Sequence, residues 1–98
     1  MNRAGLGNPG KTERQAAQIV KGFANHRRIE VLCILAREPG LSLQQISEQL
    51  NVSLKTISEH IRRMAVAGLV QKRYEGRWVR HKLTRRGTYV LRFLKTLN

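Results

Sequence analysis

The stretch Ser42–Gly68, SLQQISEQLNVSLKTISEHIRRMAVAG, decides the fold. Ser42 followed by Gln45 is a capping box, in which each side chain satisfies the other residue's backbone N–H at a helix start. It opens a short helix with Leu43, Ile46 and Leu50 turned inward. Asn51 comes next, one of the few residue types that adopts the left-handed conformation a tight turn needs. Ser53 then caps a second helix running to about Ala67, with Gly68 where a C′ glycine belongs. Two capped helices joined by Asn51-Val52-Ser53 have the geometry of a helix-turn-helix.

The second of these helices is two-faced. With Ile57 at zero and about 100° per residue, Ile61, Met64, Leu54 and Ala65 fall within about 80° and form a buried side. Lys55, Thr56, Glu59, Arg62 and Arg63 lie opposite, flanked by Ser58 and His60. A helix of this kind fits the major groove of DNA with its N-terminal half against base edges. Lys55 can donate to guanine, Glu59 can accept from cytosine N4, and Thr56 can do either. Arg62 and Arg63 lie further along and are assigned to phosphate, which positions a protein without reading sequence.

Working outward, residues 69–74 and 77–83 read as two strands joined by Glu75-Gly76, an acidic-Gly hairpin signal. In that register Val70 opposes His81, Lys72 opposes Val79, and Tyr74 opposes Arg77. Val70, Val79 and Leu83 share one face; Gln71, Arg73, Trp78, Arg80 and Lys82 share the other, with Arg77 at the tip. A basic ribbon can straddle a phosphate backbone or put an Arg into a narrow minor groove. Trp78 reads equally as packing at the base of this wing or as a contact.

Upstream, residues 1–11 contain Gly5, Gly7, Pro9 and Gly10 and read as a flexible arm ahead of one domain over residues 12–98. Thr12 with Gln15 is another capping box. Ala16, Ile19, Val20 and Phe23 then recur at helical spacing. Asn25 caps a helix through about Glu38. Its stripe is Ile29, Leu32, Cys33 and Ala36, widened by Val31, Ile34 and Leu35, and a helix apolar on most sides is a central one. Pro39-Gly40 ends it. Thr84 caps a last helix carrying Val90, Phe93, Leu94 and Leu97. The fold class is mainly α: a winged helix-turn-helix, helices plus a two-stranded β-hairpin wing.

Charge points to the partner. Nineteen Lys and Arg face six Asp and Glu, a net of +13, and residues 53–98 alone carry +10. Thirteen of the nineteen are Arg, whose planar fork suits phosphate and guanine edges. Such a surface calls for a polyanion. Five aromatic residues are too few for the interleaved stacking of single-strand binders, and the RNA major groove does not admit a helix.

Cys33 is the single cysteine, so neither an intrachain disulfide nor a multi-Cys metal site can form. On the core stripe of its helix it reads as a small hydrophobe. His26, His60 and His81 sit in three different elements with no metal-ligand spacing. The apolar run Val31–Ala36 is far short of the roughly 20 residues of a membrane span, and the basic start has no following apolar stretch of a secretory signal. These patterns exclude an enzyme, a metal, a cofactor and a membrane role, and they fit a cytoplasmic, nucleoid-associated protein.

Three groups of residues resemble the winged-helix repressors of the ArsR type, and more loosely those of the MarR type. They are Asn25-His26 with Arg28-Ile29 and Val31-Leu32; Gln45 to Ile61; and Ala67 to Val70 with Glu75 to Val79. The resemblance implies DNA contacts from Ser53, Lys55, Thr56, Ser58, Glu59 and His60, with Arg77 in the wing. It departs from the metal-sensing members, because residues 41–50 contain no Cys or His and residues 85–97 no Asp, Glu, Cys or His.

The two outer stripes complete the reading. Ala16, Ile19, Val20 and Phe23 on the first helix, and Val90, Phe93, Leu94 and Leu97 on the last, exceed what a three-helix core can cover. A second copy covers the remainder, giving a two-fold homodimer, as the resemblance also implies. The expected function is a sequence-specific double-stranded DNA-binding regulator, a repressor, with no effector indicated. The alternative is a winged-helix protein-interaction module of a larger nucleic-acid-associated assembly.

Overall fold

A computed structural model describes residues 12–97. The flexible arm expected at residues 1–11 lies outside the described residues. The order is α1 (Glu13–Lys21), α2 (His26–Arg37), α3 (Leu43–Leu50), α4 (Leu54–Val66), β1 (Val70–Glu75), β2 (Trp78–Leu83) and α5 (Arg85–Lys95).

Every helix begins on the cap its sequence announces. Thr12 and Ser42 both close full capping boxes, with Gln15 and Gln45 reaching back. Asn25 accepts from the backbone N–H of Arg27 and Arg28, Ser53 from that of Thr56, and Thr84 from that of Gly87. Asn51 adopts φ 54°, ψ 46°, the left-handed turn between α3 and α4. That turn is fixed twice more: Val52 N–H donates to Ser47 O at 3.1 Å, and the Ser47 hydroxyl donates to Val52 O.

The core gathers Val31, Leu32, Ile34 and Leu35 of α2, Ile46 of α3, Ile57, Ile61 and Met64 of α4, and Leu69. α2 is central, touching α3, α4, α5 and β2. Of the stripe expected first, however, only Leu32 is fully buried. Ile29, Cys33 and Ala36 lie on the side away from Val31, Ile34 and Leu35; Cys33 is only half-buried and Ala36 exposed. On a helix apolar on most sides, the wider and bulkier arc goes inward, and periodicity cannot choose between arcs. α4 has a similar correction: Ile57, Ile61 and Met64 span a narrow buried arc, whereas Leu54 is exposed and Ala65 half-buried at its edge.

The hairpin differs by two residues from the expected register. Val70 pairs with Leu83, Lys72 with His81, Tyr74 with Val79, and Glu75 with Trp78, so the loop is Gly76-Arg77 rather than Glu75-Gly76. Gly76 has φ +59°, and Arg77 stays out of the positive region. A two-residue loop with a positive φ at its first position is a type II′ turn, which wants Gly first. The expected loop would have placed Glu75 at that position. Because strands have a period of two, a two-residue slip leaves every side chain on its expected face.

The base of β2 is also stitched to the chain between α2 and α3. His81 N–H donates to Leu41 O at 2.9 Å, and Gly40 N–H donates to His81 O at 2.8 Å. The His81 ring is buried, with Nδ1 3.0 Å from the same Leu41 carbonyl. Nδ1 therefore carries the ring proton. This bridge holds the wing in a fixed attitude beside the helix-turn-helix.

α5 enters the core through residues outside its expected stripe. Leu91 and Gly87 are buried, Val90 and Leu94 are partly buried against the core, and Phe93 and Leu97 are exposed. Gly87 has a specific reason: a Cβ there would overlap the Leu69 carbonyl oxygen. α1 divides in the same way, with Ile19 and the following Phe23 packed against the core, Ala16 half-buried and Val20 exposed.

Candidate nucleic-acid interface

α4 presents Lys55, Thr56, Ser58, Glu59, Arg62 and Arg63 to solvent, with Ser53 exposed at its start. The opposite side of the helix is anchored by three fully buried residues, so the exposed side chains stand on a rigid support. Ser53 Oγ accepts from Thr56 N–H at 3.2 Å and donates to Thr56 Oγ1 at 2.9 Å, which fixes the Thr56 hydroxyl at the helix N-terminus. The unpaired N–H groups of that first turn, with the positive end of the helix dipole, favour an anion.

Glu59 is engaged within its own helix. Arg62 donates Nε to Oε1 at 3.1 Å and Nη2 to Oε2 at 2.6 Å, and Arg63 donates Nε to Oε2 at 2.9 Å. The Arg62 hydrogen bonds, with the single one from Arg63 behind them, lower the Glu59 carboxyl to about 2. A base donor must therefore share this carboxylate with two guanidinium groups. In the absence of DNA, Glu59 orients Arg62 and Arg63.

His60 faces inward. Arg28 of α2 donates Nε to His60 Nδ1 at 3.1 Å and Nη1 to Lys21 O at 2.7 Å. Burial, followed by the charges of Arg28 and Arg63, holds the imidazole below its ordinary range. His60 is thus a neutral brace between α2 and α4, set apart from the exposed row that the resemblance assigned to it. From the sequence, Arg28 stands only among the residues of the resemblance, with no role in the interface. Its one signal is that His26, Arg27 and Arg28 crowd the first turn of α2 without an acid, against the helix dipole.

In the wing, Arg77 lies at the tip, and Trp78 follows the turn directly, opposite Glu75 and 55% exposed. The corrected register thus settles the place of Trp78: at the tip, not the base. Lys82 and Arg73 are exposed on the same face. Arg80 is a tether: it bonds Glu75 Oε1 at 2.8 Å and Gly40 O at 3.0 Å. Arg73 also pairs with Glu75 at 2.8 Å, and these two arginines, Arg80 first, lower the Glu75 carboxyl. Lys72 and Tyr74 on the other face are exposed as well, and Lys72 enlarges the basic surface beyond the expected residues.

Among the described residues, no group of three or more His, Cys, Asp or Glu side chains could hold a metal ion, and no helix is long and apolar enough to cross a membrane.

The profile of the winged helix-turn-helix DNA-binding family matches residues 25–71. The transcriptional activator HlyU of Vibrio cholerae is 32% identical over 74 residues, 76% of this chain and 68% of the relative. An HTH-type transcriptional regulator of Methanocaldococcus jannaschii is 34% identical over 64 residues, 65% of this chain and 72% of the relative. The solved structure of V. cholerae HlyU superposes with TM-score 0.74 at 29% identity, covering 86% of this chain and 91% of that one. A homodimeric winged helix-turn-helix DNA-binding domain from Mycobacterium bovis, a possible ArsR-family regulator, superposes with TM-score 0.77 at 23% identity, covering 92% and 89%. Both sequence relatives are named as transcriptional regulators, and neither as an enzyme.

Proposed function

Because the chain belongs to the winged helix-turn-helix transcriptional regulators of the HlyU and ArsR type, we propose that it binds double-stranded DNA as a two-fold homodimer and represses transcription. The observation that carries this reading is the exposed row Lys55, Thr56, Arg62 and Arg63 on a helix whose other face is locked into the core. Lys55 and Thr56 meet base edges in the major groove, with Ser53 and Ser58 at its edge. Arg62 and Arg63, both paired with the Glu59 carboxylate, meet phosphate. The wing lays Arg73, Arg77, Trp78 and Lys82 on the adjacent backbone or minor groove, steadied by Arg80.

The dimer surface comprises the exposed parts of the two outer helices, Val20, Phe93 and Leu97, joined by Tyr89. Ala16, Ile19, Phe23, Val90 and Leu94 support these residues from below. The M. bovis domain of the same fold is homodimeric, which supports a two-copy assembly. Two copies of α4 then enter successive major grooves about 34 Å apart on an inverted repeat. A dimer covering two grooves excludes other proteins from the same DNA, hence the repressor reading. The V. cholerae relative is named an activator, and a promoter–reporter assay with and without this protein distinguishes the two directions. The place of action is the cytoplasm, on the nucleoid.

The test is a titration on duplex DNA, duplex RNA and single strands at two salt concentrations. Counterion release from six to ten phosphate contacts makes duplex affinity fall about a thousandfold or more between 50 and 200 mM salt. A flat salt response, or equal affinity for RNA, refutes the proposal.

A further inference from the structure

A cleft of about 390 Å³ opens where the C-terminal end of α1 meets the C-terminal end of α4 and the start of α5. Five cations line it: Lys21, Arg28, Arg62, Arg63 and Arg86. Among the described residues, no acidic side chain lines it, and the carboxylate next to it, Glu59, is engaged by Arg62 and Arg63. Between these cations the wall carries an apolar strip, Ile19, Gly22, Val66 and Ala67, with the amides of Gln15 and Gln18 beside it.

Several observations set this cleft apart from an ordinary basic surface. Two of its cations are built in. Arg86 Nη1 donates to Ala67 O at 2.8 Å, closing the end of α4. Arg28 is fixed between His60 Nδ1 and Lys21 O. Both guanidinium groups are thus held by the fold while still carrying N–H donors for a further acceptor. Arg28 and Arg86 also occupy the first turns of α2 and α5, where no acid accompanies them. The helix dipole opposes cations there, and an anion in the cleft relieves that cost. The chain also packs tightly at the cleft: a Cβ on Gly22 would overlap the Ala67 Cβ. Finally, Val66 is 80% exposed on α4, an apolar branched side chain that neither the core nor a phosphate contact uses. A bare phosphate needs no apolar wall and fills little of such a volume, whereas small-ligand sites begin at about 300 Å³.

We propose that this cleft binds a small organic anion, a carboxylate or sulfonate on an apolar body, and that its occupation weakens the hold of α4 on DNA. The site itself stands independently of the function proposed above; its effect on DNA rests on that reading. Arg62 and Arg63 are shared between the two. An anion that draws them into the cleft removes them from phosphate.

The experiment uses the full chain and three probes: 1-naphthoate, its uncharged counterpart 1-naphthamide, and inorganic phosphate. Binding is followed by backbone amide NMR shifts without DNA, then by duplex titration with each probe present. The expected result is saturable naphthoate binding with shifts centred on Gly22, Val66 and Ala67, and naphthamide weaker by about tenfold or more. Val66→Glu, at an exposed position that the core does not use, and Lys21→Gln each weaken naphthoate binding while the thermal midpoint is retained. Saturating naphthoate lowers duplex affinity by about tenfold. Equal binding of naphthamide, or shifts centred on Tyr89, Phe93 and Leu97, overturns the site. So does phosphate binding as tightly as naphthoate, which makes the cleft a seat for DNA backbone. Naphthoate binding in the cleft with no change in duplex affinity overturns the antagonism. Naphthoate binding by a chain that does not bind duplex supports the site and refutes the DNA function instead.

Discussion

Two substitutions at Ser53 separate the stability of α4 from its contact with DNA. Ser53 Oγ accepts the Thr56 N–H at 3.2 Å and orients the Thr56 hydroxyl at 2.9 Å. Ser53→Ala removes the cap and costs about 1 kcal/mol of stability, within a range of roughly 0.5–2. For a domain of this size that lowers the thermal midpoint by about 4–8 °C. Ser53→Asp keeps a good N-cap and adds a negative charge that the helix dipole favours, so the midpoint stays at or above its original value. On DNA the order reverses. A carboxylate about 5 Å from a phosphate repels it by about 1–3 kcal/mol, for an effective dielectric between that of water and about 20. Each half-site then loses roughly five- to 150-fold in affinity. Ser53→Ala, at a temperature where it is fully folded, loses only the ordering of Thr56. Calorimetry gives the midpoints, and duplex titration at fixed salt gives the affinities. If Ser53→Asp is as stable as the parent and binds duplex equally well, the N-terminus of α4 does not approach phosphate, and the proposed docking is wrong.

The remaining predictions concern packing, pH and assembly. Gly87→Ala forces a Cβ into the Leu69 carbonyl and pushes α5 off the core; a loss of about 1–3 kcal/mol is expected in urea unfolding, and an unchanged midpoint contradicts the close approach. Burial, ahead of other causes, lowers His60 and His81 below their ordinary value of 6.5, so the native state favours the neutral rings. Stability from these two groups is therefore present in full above about pH 6.5 and declines as pH falls below it. Glu59 and Glu75 lose theirs only below their ordinary value of 4.5. His81→Leu with His60→Gln should flatten the urea midpoint between pH 7 and 5; an equally steep decline in this double variant assigns the effect elsewhere. Phe93→Ser with Leu97→Ser, at positions 57% and 66% exposed, should give folded monomers by light scattering with weak duplex binding. Leu94 is unsuitable for that test, because it packs partly against the core.

The sequence by itself determined where each helix begins and what stands on the outer face of α4. Thr12, Asn25, Ser42, Ser53 and Thr84 all cap as read, because a cap is a hydrogen bond between residues at most three apart. Asn51 could be placed in the left-handed turn for the same local reason. Lys55, Thr56, Arg62 and Arg63 could be placed outward because Ile57, Ile61 and Met64 leave them no other side. The tertiary structure decided whatever depended on a partner distant in sequence. Periodicity alone could not choose between two apolar arcs of α2; packing against α3, α4, α5 and β2 put Val31, Ile34 and Leu35 inside and left Cys33 at the edge. The hairpin loop moved to Gly76-Arg77 because only glycine takes the positive φ there without cost, and the pattern of faces was the same in either register. His60 turned away from the exposed row because Arg28, 32 residues earlier, supplies its hydrogen bond. The cationic cleft has no signature along the chain, since Lys21, Arg28, Arg63 and Arg86 come from four helices that only the packed core brings together.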